Sequence, residues 1–431
     1  MTKVIKKAVS IIFVCDKKIF VIKRQNFLRA FPGYTAFPGG KVDAEDKVEN
    51  LEATLLNAVK REIFEELAYK IKENQEIKKI AKATSPPFNP YCFETYFYLI
   101  KIATKESFAV DKNEVQEFCW ITPIELLEQF NTGNRLMVGP VKEIVESLTQ
   151  DINGLDFKDF DRAPPQLPQI EPFKGLLQIL PKSNTIFPAT RTNAFVIGEE
   201  KKVLIDPSPK DVSERDLFIK EIKNHSIEKI IITHHHGDHH QFSTDIARHF
   251  NIPIALSSDS FERIKKVFKD DYFIAVEVII LQEGDSICRW QGEDVITHHI
   301  PGHDEGHLGF APRSLRWFIA GDLFQGVGTV VVGGEESCMT KYMQSLRKVI
   351  DLAPESVIPS HGIALGGTNI LQKTYDHRLL REKQILELTK KRYSVDQILK
   401  NIYFGIPKSV HKYAKANIQS HLLKLKKENK I

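Results

Sequence analysis

The sequence predicts a multidomain chain of α/β and α+β character, and three observations predict it. At 431 residues the chain is too long for one ordinary domain of ~100–200 residues, which suggests two to four. A Pro-rich passage from Arg162 to Pro172 can continue neither a helix nor a central strand, so it reads as a linker. On both sides of it, β-branched runs alternate with helical periodicity. The expected organisation is therefore an α/β domain over 1–155, a linker over 156–174, a layered α/β domain over 175–375 and a helical end over 376–431.

In the first part, Ile11–Val14, Phe20–Ile22 and Thr95–Ile100 read as strands, and Leu55–Leu67, Pro123–Phe130 and Val141–Leu148 as helices. The opening residues place lysines before an apolar stretch, as a secretion signal does. That stretch is short, however, turns at Asp16-Lys17-Lys18 and resumes as β-branched alternation without a small-residue cleavage site, so a strand hairpin is expected. No apolar run approaches the ~20 residues of a membrane helix. Cys15, Cys92, Cys119, Cys288 and Cys338 are scattered and never form a CxxC pair. This pattern fits reduced thiols in a cytoplasmic protein and excludes a disulfide frame or a thiolate zinc site. A membrane partner is not expected, and an oligomer is compatible with the sequence.

In the second part, strands are expected at Lys202–Ile205, Lys229–Thr233, Ile254–Leu256, Val278–Leu281, Trp317–Ala320 and Ser356–Ile358. The strand Lys229–Thr233 runs into His234-His235-His236-Gly237-Asp238-His239-His240. Alternation along a strand followed by a glycine turn brings His234 and His236 to one side, and Asp238 and His239 then open a helix. Imidazole and carboxylate are ligand types for zinc or another first-row metal. Pro301-Gly302-His303, Gly321-Asp322 and Ser360-His361-Gly362 each place one further ligand at a strand end beside a glycine, where backbone can bend toward a shared site.

In this order the residues resemble the metallo-β-lactamase superfamily, whose signature is HxHxDH, then His, then a bridging Asp, then His. The resemblance implies an αββα sandwich with a dinuclear site holding two Zn (or Mn/Fe). His234, His236 and His303 would bind one metal, and Asp238, His239 and His361 the other, with Asp322 bridging. Two cations sharing a water lower its pKa and supply hydroxide, and they polarise the oxygen under attack. Asp206, at the end of Val203-Leu-Ile-Asp, matches an early acidic residue of the family and is expected to brace a ligand imidazole. His235, His240, His298, His299 and His307 are expected to be structural or to lie outside the ligand set. Superfamily members often carry a small residue after the DH pair and a Thr after the third His. Here these are His240 and Asp304, which alter the pocket rim.

The residues from Asp376 to Ile431 contain fourteen Lys/Arg against five Asp/Glu, in a chain of net charge +4, so the remainder is mildly acidic. Ser394 heads an amphipathic stretch in the manner of a helix cap, and Tyr413–Leu425 continues with helical spacing. With the preceding domain, the closing run His421-Leu-Leu-Lys-Leu-Lys-Lys-Glu resembles the beta-lactamase-like protein 2 family of endoribonucleases, which end in a small winged-helix-like domain. The likeness covers roughly 175–431 and implies single-stranded RNA as a substrate, with Lys412, Lys415, Lys424, Lys426 and Lys427 tracking phosphates. Relatives of the same shape hydrolyse thioesters, so an acyl hydrolase is the alternative. A helical lid packed over the metal site is the other reading of this end.

Near the amino terminus, Phe37-Pro38-Gly39-Gly40 and then Arg61-Glu62-Ile63-Phe64-Glu65-Glu66 resemble the Nudix box, GG…RExxEExG. Glu62, Glu65 and Glu66 stack on one helix face, a crowding that makes sense when Mg²⁺ or Mn²⁺ sits among them and bridges to a diphosphate. The resemblance implies a Nudix α/β/α fold, Arg61 bracing the loop–helix turn, Glu65 and Glu66 as main metal ligands, and Glu62 supporting them or acting in base chemistry. Arg24, Arg29 and Gly33 precede the box with spacing similar to coenzyme A diphosphatases, which implies that Arg24 and Arg29 bind a CoA-like or nucleoside diphosphate substrate. The loop from Gly40 to Arg61 is longer than the common box, and Ala68 replaces the usual glycine at a helix end that needs positive φ. These departures support an alternative in which this domain senses a ligand without turnover. Glu114 and Glu117, before Trp120, read as a solvated turn or as a further carboxylate source.

Overall fold

The structure is a computed structural model that describes residues 5–86, 89, 91–152, 155–161 and 167–431. The chain divides into two compact units, Met1–Gln178 and Ile179–Ile431.

The first unit is built on a mixed sheet. Its order is β3 (Thr35–Ala36), β2 (Lys18–Arg24), β1 (Lys6–Cys15), β5 (Phe93–Lys101), β4 (Ile77–Thr84) and β7 (Lys158–Asp159), with β6 (Val115–Ile121) on β2. The expected hairpin is present: β1 and β2 pair antiparallel, and Asp16 and Lys17 both take positive φ, as a two-residue turn of matching twist requires. Period-two alternation sorts β1 between two cores. Val9, Ile11 and Phe13 face α1 (Leu51–Leu67), packing with Leu55, Ala58, Val59 and Ile63. Ile12 and Val14 face the other way, with Leu126 and Phe130 of α2 (Pro123–Asn131) and Val141 and Ile144 of α3 (Gly139–Gln150). Helices cover both faces, an α/β/α arrangement.

Asn50 caps α1 by accepting from the Glu52 and Ala53 amides, which starts the helix one turn earlier than apolar periodicity alone predicts. At its other end Ala68 sits in the left-handed region, φ 50°. A β-carbon there is strained by roughly 1–2 kcal/mol, partly offset by glycine's greater freedom when unfolded. Ala68→Gly is therefore expected to raise stability by about 0.5–1 kcal/mol, measured as a shift in urea midpoint at unchanged slope. An unchanged or lower midpoint would show that the strain is absent.

The span expected as linker is not featureless. Residues 162–166 lie outside the described residues. The flanks, however, carry β7, which pairs with β4, and β8 (Gln169–Phe173), which pairs with β9 (Leu176–Ile179). Prolines at 168 and 172 are tolerated because short edge strands leave some amides unpaired.

In the second unit, β10 (Ala194–Gly198), β11 (Lys202–Ile205), β12 (Ile227–Ile231), β13 (Ile254–Leu256) and β14 (Val278–Ile280) follow one another in one sheet. The other sheet runs β15 (Ser286–Trp290), β16 (Glu293–His299), β17 (Leu308–Pro312), β18 (Phe318–Gly321), β19 (Ser356–Pro359), β20 (Leu365–Gly366). Val203–Ile205 and Ile230–Ile232 are fully buried, as strands covered on both faces should be. The first sheet is connected through α4 (Val212–Ile222), α5 (Gly237–His240), α6 (Ser243–Phe250) and α7 (Ser258–Phe268). On the second sheet, Tyr342, Leu346 and Val349 of α8 (Met339–Leu352) pack against Phe318, Ala320 and Val357. The chain closes with α9 (Asn369–Lys390), α10 (Val395–Ile402) and α11 (His411–Lys427), around Ile385, Ile398, Leu399, Ile418 and Leu425. Ser394 and Gln397 form the capping box that starts α10.

Candidate functional site

The second unit gathers its histidines at the ends of strands. After β12 the chain carries Thr233, His234 and His236 forward, then turns into the short α5, whose first turn holds Asp238 and His239. Asp322 directly follows β18, and His361 lies just beyond β19. His303 follows β16 through Pro301-Gly302, where a β-carbon on Gly302 would lie 2.1 Å from the Tyr342 amide. Only glycine lets that loop press against α8.

The side chains meet as two triads. His234 Nε2 lies 2.9 Å and His303 Nε2 3.0 Å from His236 Nδ1, so three imidazoles aim at one point. Asp238, His239 and His361 form the second group, with His361 Nε2 3.6 Å from Asp238 Oδ2. Asp322 stands between them. Its Oδ2 is 3.7 Å from His303 Nε2 and 3.8 Å from His239 Nε2, and its Oδ1 is 3.4 Å from His361 Nε2. All seven residues expected from the sequence are brought together.

Four of the five imidazoles are oriented from behind by hydrogen bonds. His239 Nδ1 donates to Asp206 Oδ2 at 2.8 Å, and Asp206 itself accepts from the Thr233 amide and hydroxyl. Thr233 Oγ1 in turn lies 3.0 Å from His234 Nδ1, whose proton it accepts. His303 Nδ1 donates to the Val331 carbonyl and His361 Nδ1 to the Arg191 carbonyl. These bonds orient the four rings so that each of their Nε2 atoms faces the cluster, while His236 turns its Nδ1 inward. Asn193, buried, donates to the carbonyls of Pro359 and Gly362 and so holds the turn that carries His361.

The donor set fits divalent cations. His239 Nε2, His361 Nε2 and Asp322 Oδ1 are buried, yet make no hydrogen bond among the described residues. Burial disfavours charge on His239, but Asp238, Asp206 and Asp322 outweigh it and push its pKa up to about 10. Asp322 is likewise buried, and the imidazoles of His361, His239 and His303 hold its carboxyl well below the ordinary range. A pocket so rich in anionic and lone-pair donors offers protons or cations the same place.

His307, His240 and His235 lie outside the two triads. His307 Nε2 accepts from the Asp322 amide at 3.1 Å, and His240 bridges the His235 carbonyl and the Tyr272 hydroxyl. His235 pairs with the buried Asp304, so the residue that departs from the family pattern serves as an anchor. Thr233 and Glu336, which is 3.9 Å from His236 Nε2, were not singled out by sequence reasoning. Thr233 was legible as the strand's last residue before the first ligand; Glu336 carried no local signal.

In the first unit, Arg61 is the hub. It donates to both carboxylate oxygens of Asp46, to the Lys41 carbonyl and to Glu65, and it lies 3.0 Å from Glu62. Glu66 accepts from the Gly39 amide at 2.8 Å. A β-carbon on Gly40 would lie 2.4–2.6 Å from the Glu62 carboxyl, so the second glycine of the box makes room for that glutamate. Burial raises Glu66 to about 8 and Glu62 to about 7, in each case with help from Glu114. Glu114 is thus near both glutamates, in a segment whose Asp111 amide donates to the Glu66 carbonyl. Arg24 lies close enough to oppose the Glu66 shift, while Arg29 is exposed. The three glutamates share one helix, but among the described residues every grouping of ligand atoms within 4.8 Å of one another is in the second unit.

At the carboxyl end Lys415 pairs with Asp396, and Lys412 lies over the Tyr413 ring. Lys424, expected to track phosphates, instead lies between Glu382 and Glu428 and is only 11% exposed. Its place on the buried edge of α11 decides this, which helical spacing alone does not reveal.

Comparison with known proteins matches three segments. Residues 188–361 match the metallo-beta-lactamase superfamily, 4–138 the NUDIX domain and 394–431 the beta-lactamase associated winged helix domain. Among relatives, the beta-lactamase-like protein 2 homolog of Caenorhabditis elegans is 27% identical over 287 residues, covering 62% of this chain and 90% of that one. An atrochrysone carboxyl ACP thioesterase of Claviceps purpurea is 23% identical over 272 residues, covering 59% and 82%. The crystal structure of a beta-lactamase domain protein from Burkholderia ambifaria superposes with TM-score 0.54 at 17% identity, covering 63% of this chain and 91% of that one, which supports the fold of the second unit. No helix among the described residues is long and apolar enough to cross a membrane.

Proposed function

We propose that this chain, a hydrolase that joins a NUDIX domain to a metallo-β-lactamase domain and a winged-helix domain, cleaves two kinds of phosphate linkage. In the first domain the substrate is a CoA-like or nucleoside diphosphate compound, with Mg²⁺ or Mn²⁺ as cofactor. In the second it is a phosphodiester of single-stranded RNA, with two Zn²⁺ (or Mn/Fe) bound. The observation that carries the dinuclear reading is the pair of triads sharing Asp322, with three buried ligand atoms that make no hydrogen bond among the described residues.

His234, His236 and His303 would hold one cation and Asp238, His239 and His361 the other, with Asp322 common to both. Bound cations would supply Lewis acidity and ease the ionisation of water at neutral pH. The chain's own residues do the positioning. Asp206 holds His239 directly and His234 through the Thr233 hydroxyl. Asp238, less buried than Asp322, takes up the proton from the attacking water at a carboxylate oxygen. The surplus of Lys and Arg after Asp376 supports an anionic polymer as substrate, as does the likeness to the endoribonuclease family.

A second reading, an acyl thioesterase, is favoured by a different observation. Thr185 lies close enough to Asp238 to help hold its carboxyl low, and the next two residues, Ile186 and Phe187, are 46% and 77% exposed, an apolar edge suited to an acyl chain. Incubating the zinc-loaded full chain with end-labelled single-stranded RNA and with an acyl-CoA panel separates the two. RNA cleavage without thiol release is expected; intact RNA in a fully loaded enzyme would end the nuclease reading, and thiol release would replace it.

A further inference from the structure

The loop between β18 and α8 touches the metal cluster on one side and the carboxyl-terminal helices on the other. On the cluster side, the Val331 carbonyl accepts the proton of His303 Nδ1 at 2.8 Å. Glu336 faces the outer nitrogen of His236, and Ser337 Oγ donates to the His303 carbonyl at 2.9 Å. Two of the three imidazoles of one triad thus take their outer partners from this single loop.

The loop has no regular hydrogen-bonded frame of its own. Its ends bond to the His361 and Gly302 carbonyls, and its middle is fixed by side chains of α9 and α11. Asn417 Oδ1 accepts from the Val332 amide at 2.9 Å, and the same oxygen accepts from Arg378 at 3.2 Å. Arg378 also donates to the Val330 carbonyl at 2.6 Å. Both side chains are buried, Arg378 at 2% and Asn417 at 5% exposure. Gly333 is pressed against Ala416 so closely that a β-carbon would lie 2.5 Å from the alanine's. Arg378 also lies over the Tyr342 ring, 5.4 Å from its centre, and Tyr342 donates to the Leu323 carbonyl, one residue beyond Asp322.

We propose that Arg378 and Asn417 are positioning residues of the metal centre, acting through the 330–337 loop on His303 and His236. The inference rests on the reading of this unit as a dinuclear metallohydrolase and extends it. On this account the carboxyl-terminal helices are a built part of the His234–His236–His303 half of the centre. Removing an outer partner of a metal-bound imidazole lowers metal affinity by about 10–100-fold, because the ring is no longer held in the productive tautomer and orientation.

The test uses the full chain and Zn²⁺ alone. Asn417→Ala, Arg378→Gln and Gly333→Ala are compared with the parent in two measurements: thermal melting without metal, and Zn²⁺ titration against a chromophoric chelator. One zinc equivalent is expected to weaken about 10–100-fold, while the other binds as in the parent and metal-free melting stays within a few degrees. Parent-like binding of both equivalents, with only the melting lowered, would overturn the proposal and leave these residues a purely structural role. The three substitutions sit on three elements, so a variant that does not fold leaves the others to decide. A parent chain that takes up no zinc, and none of manganese or iron in a parallel titration, would overturn the dinuclear reading of the second unit, a result distinguishable from the failure of the relay.

Discussion

Replacing Asp322 with Asn is expected to lower hydrolysis by the second unit by about three orders of magnitude. Metal ions contribute several kcal/mol of charge stabilisation to such reactions, and each ~1.4 kcal/mol is tenfold in rate. The carboxylate lies between both triads, within 3.4–3.8 Å of His303, His239 and His361. An amide keeps its shape but loses the charge that draws cations to a site lined by those imidazoles. Metal analysis of the purified variant is expected to show fewer than two equivalents, alongside the loss of rate. A variant retaining two metals and parental turnover would show that Asp322 does not link the sites. His298, pointed elsewhere beside Phe318, serves as a comparison whose loss leaves metal content unchanged.

The second large effect is expected at Glu66. Glu66→Gln should reduce diphosphate cleavage by about 10²–10⁴-fold, the range for a carboxylate acting in proton transfer or holding the metal that does so. Such a loss would dismiss the ligand-sensing alternative for the first domain; a parent chain without diphosphate cleavage would establish it. The pH dependence carries its own sign. Burial raises Glu66 to about 8, above its unfolded value near 4.5. Between those values the folded chain holds a proton that the unfolded chain has lost, so stability falls as pH rises through this window. The Glu66 contribution, read as metal-free parent minus Glu66→Gln so that the oppositely signed buried histidines cancel, is thus expected to be smaller at pH 8 than at pH 5. Mg²⁺ should restore the loss. A parent-minus-variant difference with no pH dependence, or of opposite sign, would show that Glu66 is solvated.

Much of this was legible in the chain itself. The candidate metal-site residues could be named because their order resembles a known signature, and because His303, Asp322 and His361 each sit beside a glycine at a strand-to-loop junction, where backbone is free to turn toward a shared point. The Nudix glutamates were legible from helical spacing, and the strain at Ala68 from the left-handed position that it fills. Other features had no local signature. Glu336 and Val331 matter only because their loop folds back on His236 and His303. Glu114 lies far along the chain from Glu62 and Glu66, in a stretch that reads equally well as a solvated turn.

The sequence by itself determined the kinds of domain and the order of the candidate ligand residues, because motif spacing, turn residues and donor chemistry can be read along the chain. Only the tertiary structure decided which nitrogen of each imidazole faces the cluster, which carboxylates brace and which converge, and that Lys424 is tied up by Glu382 and Glu428 while Asn417 and Arg378 reach the loop behind His303. The reason is physical. Tautomers, burial and shared hydrogen bonds depend on groups brought together from distant parts of the chain, and a linear pattern carries no distance between them.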